Sequence, residues 1–274
     1  MSIYNGYWET VAVFLGLRGL EELTDRAACL RLNGLDRSPA DFRELCTTLY
    51  WNMPPHWPNR TPSKENWHGS GQIRLDPDER RPEVLLEGAI ANLTELGLMD
   101  GWANQMPVAS GFFEDGTDDG KAVHLIHSAN GTSRFWELRW ESGTPVHAAF
   151  ELLGLGLIYL HSRVNQRAFG YFHHPLMKVN MLRTQVVAPP SFYEGYDLRW
   201  LLRGLREGTP ALFRQETRED IWIIFDFLAL PRSFNLPFAT GEEVLRKCSA
   251  SDAFPLAELL SSVVYHLDRA VDVP

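Results

Sequence analysis

The chain has 274 residues, of which 45% are apolar and 22% charged, and its net charge is −9. Such values belong to a chain that can bury a sizeable core, as one domain or two small ones packed closely, and they exclude wholesale disorder. The acidic balance also excludes non-specific adhesion of the whole surface to DNA or anionic lipid.

In chain order, residues 9–31 read as helical, with Gly16 and Gly19 as weak points. "SPADFRELCTTLYW" (38–51) is a better helix: Ser38 can cap it, Pro39 suits its first turn, and Asp41 meets the N-terminal dipole. The stretch 52–82 then carries six prolines and little periodicity, but also Trp57 and Trp67, which flexible linkers avoid. It reads as a long loop pinned by its tryptophans, with a lid or partner-binding arm as the sharper alternative. Residues 82–99 are an amphipathic helix, with Pro82 at its start and Gly97 near its end.

"KAVHLIHS" (121–128) and "SRFWELRWE" (133–141) read as a strand pair around "ANGT". Alternation puts Trp136, Leu138 and Trp140 on one face of the second strand. Phe135, Glu137, Arg139 and Glu141 fall on the other, as in a half-buried strand. A buried helix is predicted over 144–163, a strand over 178–188 and an amphipathic helix over 195–208. Residues 221–230, apolar on both faces, predict a central strand, and 255–271 a closing helix. The predicted class is α+β, with mixed helices around a central, mainly antiparallel sheet. The chain divides at about residue 142 into an N-terminal helical part with the long loop and hairpin, and a C-terminal α/β part; the two are compatible with one domain. The layout of helix 38–51, helix 82–99 and the hairpin also suggests a winged-helix-like substructure over 38–141. Its would-be recognition helix carries Glu83, Glu87 and Glu95, which would repel phosphates.

Cys29, Cys46 and Cys248 fit neither a disulfide framework nor a zinc knuckle, and "MSIYNGYWET" lacks the features of a secretory signal. A reducing, cytoplasmic setting is therefore expected, and no run is long enough to predict a membrane span. Phosphate-loop and nucleophile-elbow motifs are absent. "GLGLIY" (154–159) falls inside helical pattern, where its glycines serve packing. "FEDGTDDGKAVHLI" (113–126) puts Ile126 where a calcium loop needs a bidentate Glu, so it reads as a polar turn. No cofactor is expected.

Six of nine histidines lie between residues 124 and 174. Clustering raises the prospect of a metal or acid–base site. Local geometry supplies no chelating pair, however. His124 and His127 are three apart on a strand and point to opposite faces, and the adjacent His173 and His174 diverge before Pro175. Only tertiary folding could assemble a site from them. Asp226 is the single ionisable residue in "IWIIFDFLAL". It must pair, shift its pKa or face a cavity, so it reads either as an ion pair with a core-facing Arg or as a catalytic carboxylate.

Residues 161–220 carry a local net charge of +3 within the acidic chain. Arg163, Arg167 and Lys178 lie there near Tyr171, and Arg199, Arg203 and Arg206 fall on one side of the helix 195–208. Cations interleaved with aromatics are what single-stranded nucleic acid uses, and they serve an acidic protein partner equally well; a solvated helix face is the plain alternative. The leading expectation is a non-catalytic binding or regulatory subunit of a cytoplasmic assembly. It would contact a protein partner, or nucleic acid, through these residues with Trp57 and Trp67; a homo-oligomer is compatible and a membrane is not expected. The alternative is a hydrolase. Its metal or acid–base site would come from the histidine-rich segment 124–174 and Asp226, with His173, His174 and Asp226 as catalytic candidates and His124 and His127 as metal candidates.

Overall fold

The computed structural model describes residues 6–53, 62–68, 75–110, 122–217, 221–249 and 252–269. Five strands form one sheet in the order β1 (Trp102–Pro107), β2 (Ala122–Ala129), β3 (Thr132–Leu138), β4 (Met181–Ala188) and β5 (Trp222–Ala229). The first two pairings are antiparallel and the last two parallel. The α+β class stands, but the sheet is mixed rather than mainly antiparallel. The reason lies in the connections. The turn at Asn130 and Gly131, both with positive φ, closes β2 onto β3 as a hairpin. α6 (Pro145–Val164) and α8 (Arg199–Thr217) instead return the chain to the same end of the sheet, which makes the next strand parallel.

Helices cover both faces. On one, α1 (Tyr7–Leu15), α2 (Leu20–Thr24), α3 (Arg26–Leu30), α4 (Pro39–Asn52), α6, α7 (Pro190–Tyr193) and α8 share a core with Phe135, Leu182, Val186, Ile223, Phe225 and Phe227. On the other, α5 (Pro82–Glu95), α9 (Gly241–Lys247) and α10 (Ala253–Arg269) pack with Leu125, Trp136, Leu138, Val187 and Leu228. This layering removes the winged-helix layout: α4 and α5 lie on opposite faces, and the hairpin is interior to the sheet. Residue 142, the predicted boundary, falls between β3 and α6.

Local expectations meet the structure unevenly. Ser38 and Asp41 form a full capping box at α4. The predicted helix 9–31 is three short helices. Gly16 ends the first in the left-handed region, and Asp25 caps the third by accepting from Ala28 N. β3 is buried on both faces rather than one, because helices cover each side. β5 is likewise covered on both faces, but it sits at the sheet's end and not its centre. α8 runs nine residues past its predicted end at 208, through Gly208 and Pro210. Gly156 packs against Ile223, 3.3 Å from where a Cβ would reach, as expected of a helix-packing glycine. The tempting loop at 113–126 falls mostly outside the described residues. Among those described, no helix is long and apolar enough to cross a membrane.

Candidate functional site

A cavity of about 840 Å³ opens beyond the C-terminal end of β3, between the first two turns of α5 and residues 138–142. Ligand sites of α/β proteins favour the carboxyl ends of strands, and this volume lies within the usual range for such sites. His124, Glu87, Gln105, Arg139 and Trp140 are among its walls.

The hairpin register sets the first pair. Leu125 lies opposite Trp136, so His124 lies opposite Glu137. His124 Nδ1 stands 3.4 Å from Glu137 Oε1; the histidine is 36% exposed and the carboxylate 4%. A buried acid thus backs an imidazole that faces the cavity, the relation that orients a general base. Arg139 Nη2 reaches the same Glu137 oxygen at 2.9 Å and also binds Glu151 on α6. His147, one turn earlier on α6, stands 3.4 Å from Glu151 and stacks on Trp8 of α1. Burial is the largest effect on Glu137 and raises its pKa, opposed by the charges of His124 and Arg139.

Glu87 is the second acid. It is buried on α5, and Gln105 Nε2 donates to its Oε1 at 2.7 Å. Gln105 holds φ of 43°, a left-handed conformation uncommon for a residue with a side chain and worth a kilocalorie or more of strain, on the order of 1–3 kcal/mol. Burial pushes the Glu87 carboxyl up to about 7, while a positive His124 and the Gln105 hydrogen bond pull it down. Glu87 is therefore a proton donor near neutrality beside a histidine close enough to act on it electrostatically. Two titratable groups with divergent environments are the arrangement that assigns an acid and a base.

Glu87 also couples to stability. Its folded pKa lies above the ordinary carboxyl value, so the folded state holds the proton more tightly. Its contribution is fully present below about 4.5 and is lost as pH rises through about 7. His161 and His174 act oppositely. Burial lowers both to about 4, so they cost stability below the ordinary histidine value, and that cost fades as pH rises toward 6.5. Glu87→Gln is expected to flatten the neutral limb, gaining on the order of 2 kcal/mol relative to wild type between pH 5 and 8. Urea melts across that range check it; parallel curves for the two proteins would contradict the buried acid.

The remaining predicted residues lie elsewhere. His127 is on the opposite face of β2 from His124, against Arg134 and Trp102, and no group of three or more metal-ligating side chains occurs among the described residues. Asp226 joins a buried ladder. Trp136 Nε1 donates to Gln185 Oε1 at 2.8 Å, and Gln185 Nε2 donates to Asp226 at 2.8 Å. Arg183 and Arg206 reach the Asp226 carboxylate at 2.7 and 2.5 Å. This is the ion-pair reading of Asp226, and none of its partners is a histidine. Arg206 also donates from Nε to Phe225 O at 2.7 Å.

The predicted basic stripe is thereby divided, since Arg206 turns to Asp226. Arg199 pairs with Asp197 at 2.6 Å, and Arg203 is 3.9 Å from Asp36. Arg163 is buried and donates to Tyr159 Oη and Val179 O. Tyr171 and Trp67 are buried too. Trp67, beside Phe135 and Tyr159, pins the long loop to the core, and Trp57 lies outside the described residues. Arg167 and Lys178 both stand over Phe172. His173 is exposed, whereas His174 accepts from Leu176 N and packs on His68, so the adjacent pair diverges as expected. All three cysteines are buried with raised pKa values.

Sequence reading missed Glu87, Gln105, Glu137, Arg139 and Glu151. One signal was present: a two-residue turn at Asn130–Gly131 fixes the register that sets His124 against Glu137. No family model matches the chain, and neither a curated protein nor a solved structure matches it.

Proposed function

We propose that the chain is an acid–base enzyme, a hydrolase acting on a small polar substrate in the cavity at the end of β3. The observation that supports this best is the pairing of His124 with the buried Glu137 beside Glu87, whose carboxyl stays protonated near neutrality. In this reading His124 takes a proton from water, Glu137 is a positioning residue that holds the ring and offsets its charge, and Glu87 protonates the leaving group. Gln105 keeps Glu87 in place, and Trp140 offers the substrate an apolar wall.

The test is a panel of chromogenic esters, glycosides and phosphate esters. His124→Gln and Glu87→Gln are each expected to lower turnover about a hundredfold. Glu137→Gln should lower it less and move the pH profile. The wild-type rate should fall as pH rises through about 7, where Glu87 loses its proton. A wild-type rate no higher than that of the His124→Gln/Glu87→Gln double variant on every panel member sinks the reading.

A second reading, a binding subunit of a cytoplasmic assembly, is favoured by one observation. Arg199 and Arg203, on successive turns of α8, are 75% and 53% exposed. Arg199→Glu/Arg203→Glu would then abolish capture of an acidic protein partner or nucleic acid, and unchanged capture would remove this reading.

A further inference from the structure

A second cavity, of about 450 Å³, lies between the β2–β3 turn (128–132) and residues 173–179. Its composition differs from that of the first. Among the described residues no carboxylate lines it, whereas Glu83, Glu87 and Glu141 line the first cavity. Lys178 and the exposed His173 stand on one side, with Leu176 and Val179 as an apolar floor. Ser128, Asn130 and Thr132 stand on the other, bringing hydroxyls and an amide.

Among the described residues no carboxylate pairs with the cations near this cavity. Lys178 Nζ lies 5.9 Å from the centre of the Phe172 ring and Arg167 Cζ lies 5.1 Å from it, and the ring is 42% exposed. Among the described residues neither cation is paired with a carboxylate, although the chain carries net charge −9. The contrast with the neighbouring arginines is direct: Arg183 and Arg206 share Asp226, and Arg163 is bound to a hydroxyl and a carbonyl. Both cations stand by the same exposed ring, so they add to a positive field at this side of the molecule that an anion would offset. A doubly charged phosphate group matches Lys178, His173 and several hydrogen-bond donors better than a singly charged carboxylate. At about 450 Å³ the cavity has the size of small-molecule sites rather than of the extended groove that tracks a nucleic acid strand.

We propose that this cavity binds a phosphate-bearing small molecule, with Lys178 supplying the charge inside it, Arg167 adding charge from behind the Phe172 ring outside the lining, and His173 and the β2–β3 turn supplying the hydrogen bonds. The site is independent of the acid–base cavity. The test is calorimetry with three probes: inorganic phosphate, adenosine monophosphate and a single-stranded oligothymidylate. Binding of phosphate alone assigns a free-anion site, and tighter binding of the nucleotide assigns a phosphorylated metabolite. In either case Arg167→Gln/Lys178→Gln should weaken binding about tenfold or more, while Arg214→Gln, a substitution elsewhere on the surface, should not. Amide shifts at Asn130, Gly131 and Lys178 in the wild-type protein locate the probe without any substitution. The proposal is overturned if neither small probe binds at millimolar concentration, if the double variant binds as well as wild type, if the shifts fall elsewhere, or if only the oligonucleotide binds.

Discussion

Asp226→Ala is expected to lower stability by about 3–5 kcal/mol and to move the urea midpoint down by about 1 M or more. The carboxylate is 1% exposed and answers three donors at once: Arg183, Arg206 and Gln185. Its removal leaves two guanidinium groups and a buried amide facing a void. The ladder also runs across three strands in register, since Trp136 pairs with Gln185 and Gln185 with Asp226. The loss would therefore be felt at the parallel half of the sheet. Arg183→Leu should cost less, about 1–2 kcal/mol, because Arg206 and Gln185 still satisfy the carboxylate. A Asp226→Ala midpoint within error of wild type would show that the ladder contributes no net stability.

Gly208→Ala is expected to cost about 3 kcal/mol, at the upper edge of ordinary overpacking. α8 crosses α4 with Gly204 and Gly208 at the contact. A Cβ on Gly208 would stand 2.8 Å from Phe42 Cβ and 2.9 Å from Arg43 N, and one on Gly204 would overlap the Phe42 ring. At Gly208 the obstacle is backbone, so no rotamer change relieves it and the helices must separate. On an exposed helix the same change gains up to about 1 kcal/mol, so even the sign of the effect tests this packing. Thermal melts of the variant decide it: an unchanged or raised Tm would mean that the two helices do not approach so closely.

Legibility in the sequence followed the range of the interactions involved. Ser38 and Asp41 announced α4 because a capping box is local. Asn130–Gly131 announced the hairpin because only a few residues tolerate its backbone conformation. The parallel half was read as strands and helices, but not as crossovers, since no local rule says which strand β4 joins. Glu87 looked like a surface acid on an amphipathic helix. Its burial depends on β1, a six-residue strand whose buried positions alternate but whose sequence WANQMP, with Asn104 on the buried face and Gln105 left-handed, gave no strand signal. Arg206 looked like one of three equivalent arginines on a helix face. Only the placement of β5 beside α8 separates it from Arg199 and Arg203.

That placement has a consequence for how copies of the chain meet. An open sheet has two edges, and an unpaired edge strand invites another chain to add to it. On β5, Trp222 N bonds back toward β4 through Asn180 O, so alternation turns Phe225 O outward. That outward carbonyl accepts from Arg206 Nε, so a charged side chain occupies the position an incoming strand would need. At the other edge, β1 ends in Pro107, which has no N–H to offer, and its carbonyl already accepts from Trp67 N. Each margin of the sheet is thus obstructed at one position by the chain's own residues, which disfavours growth into edge-to-edge aggregates during folding and storage.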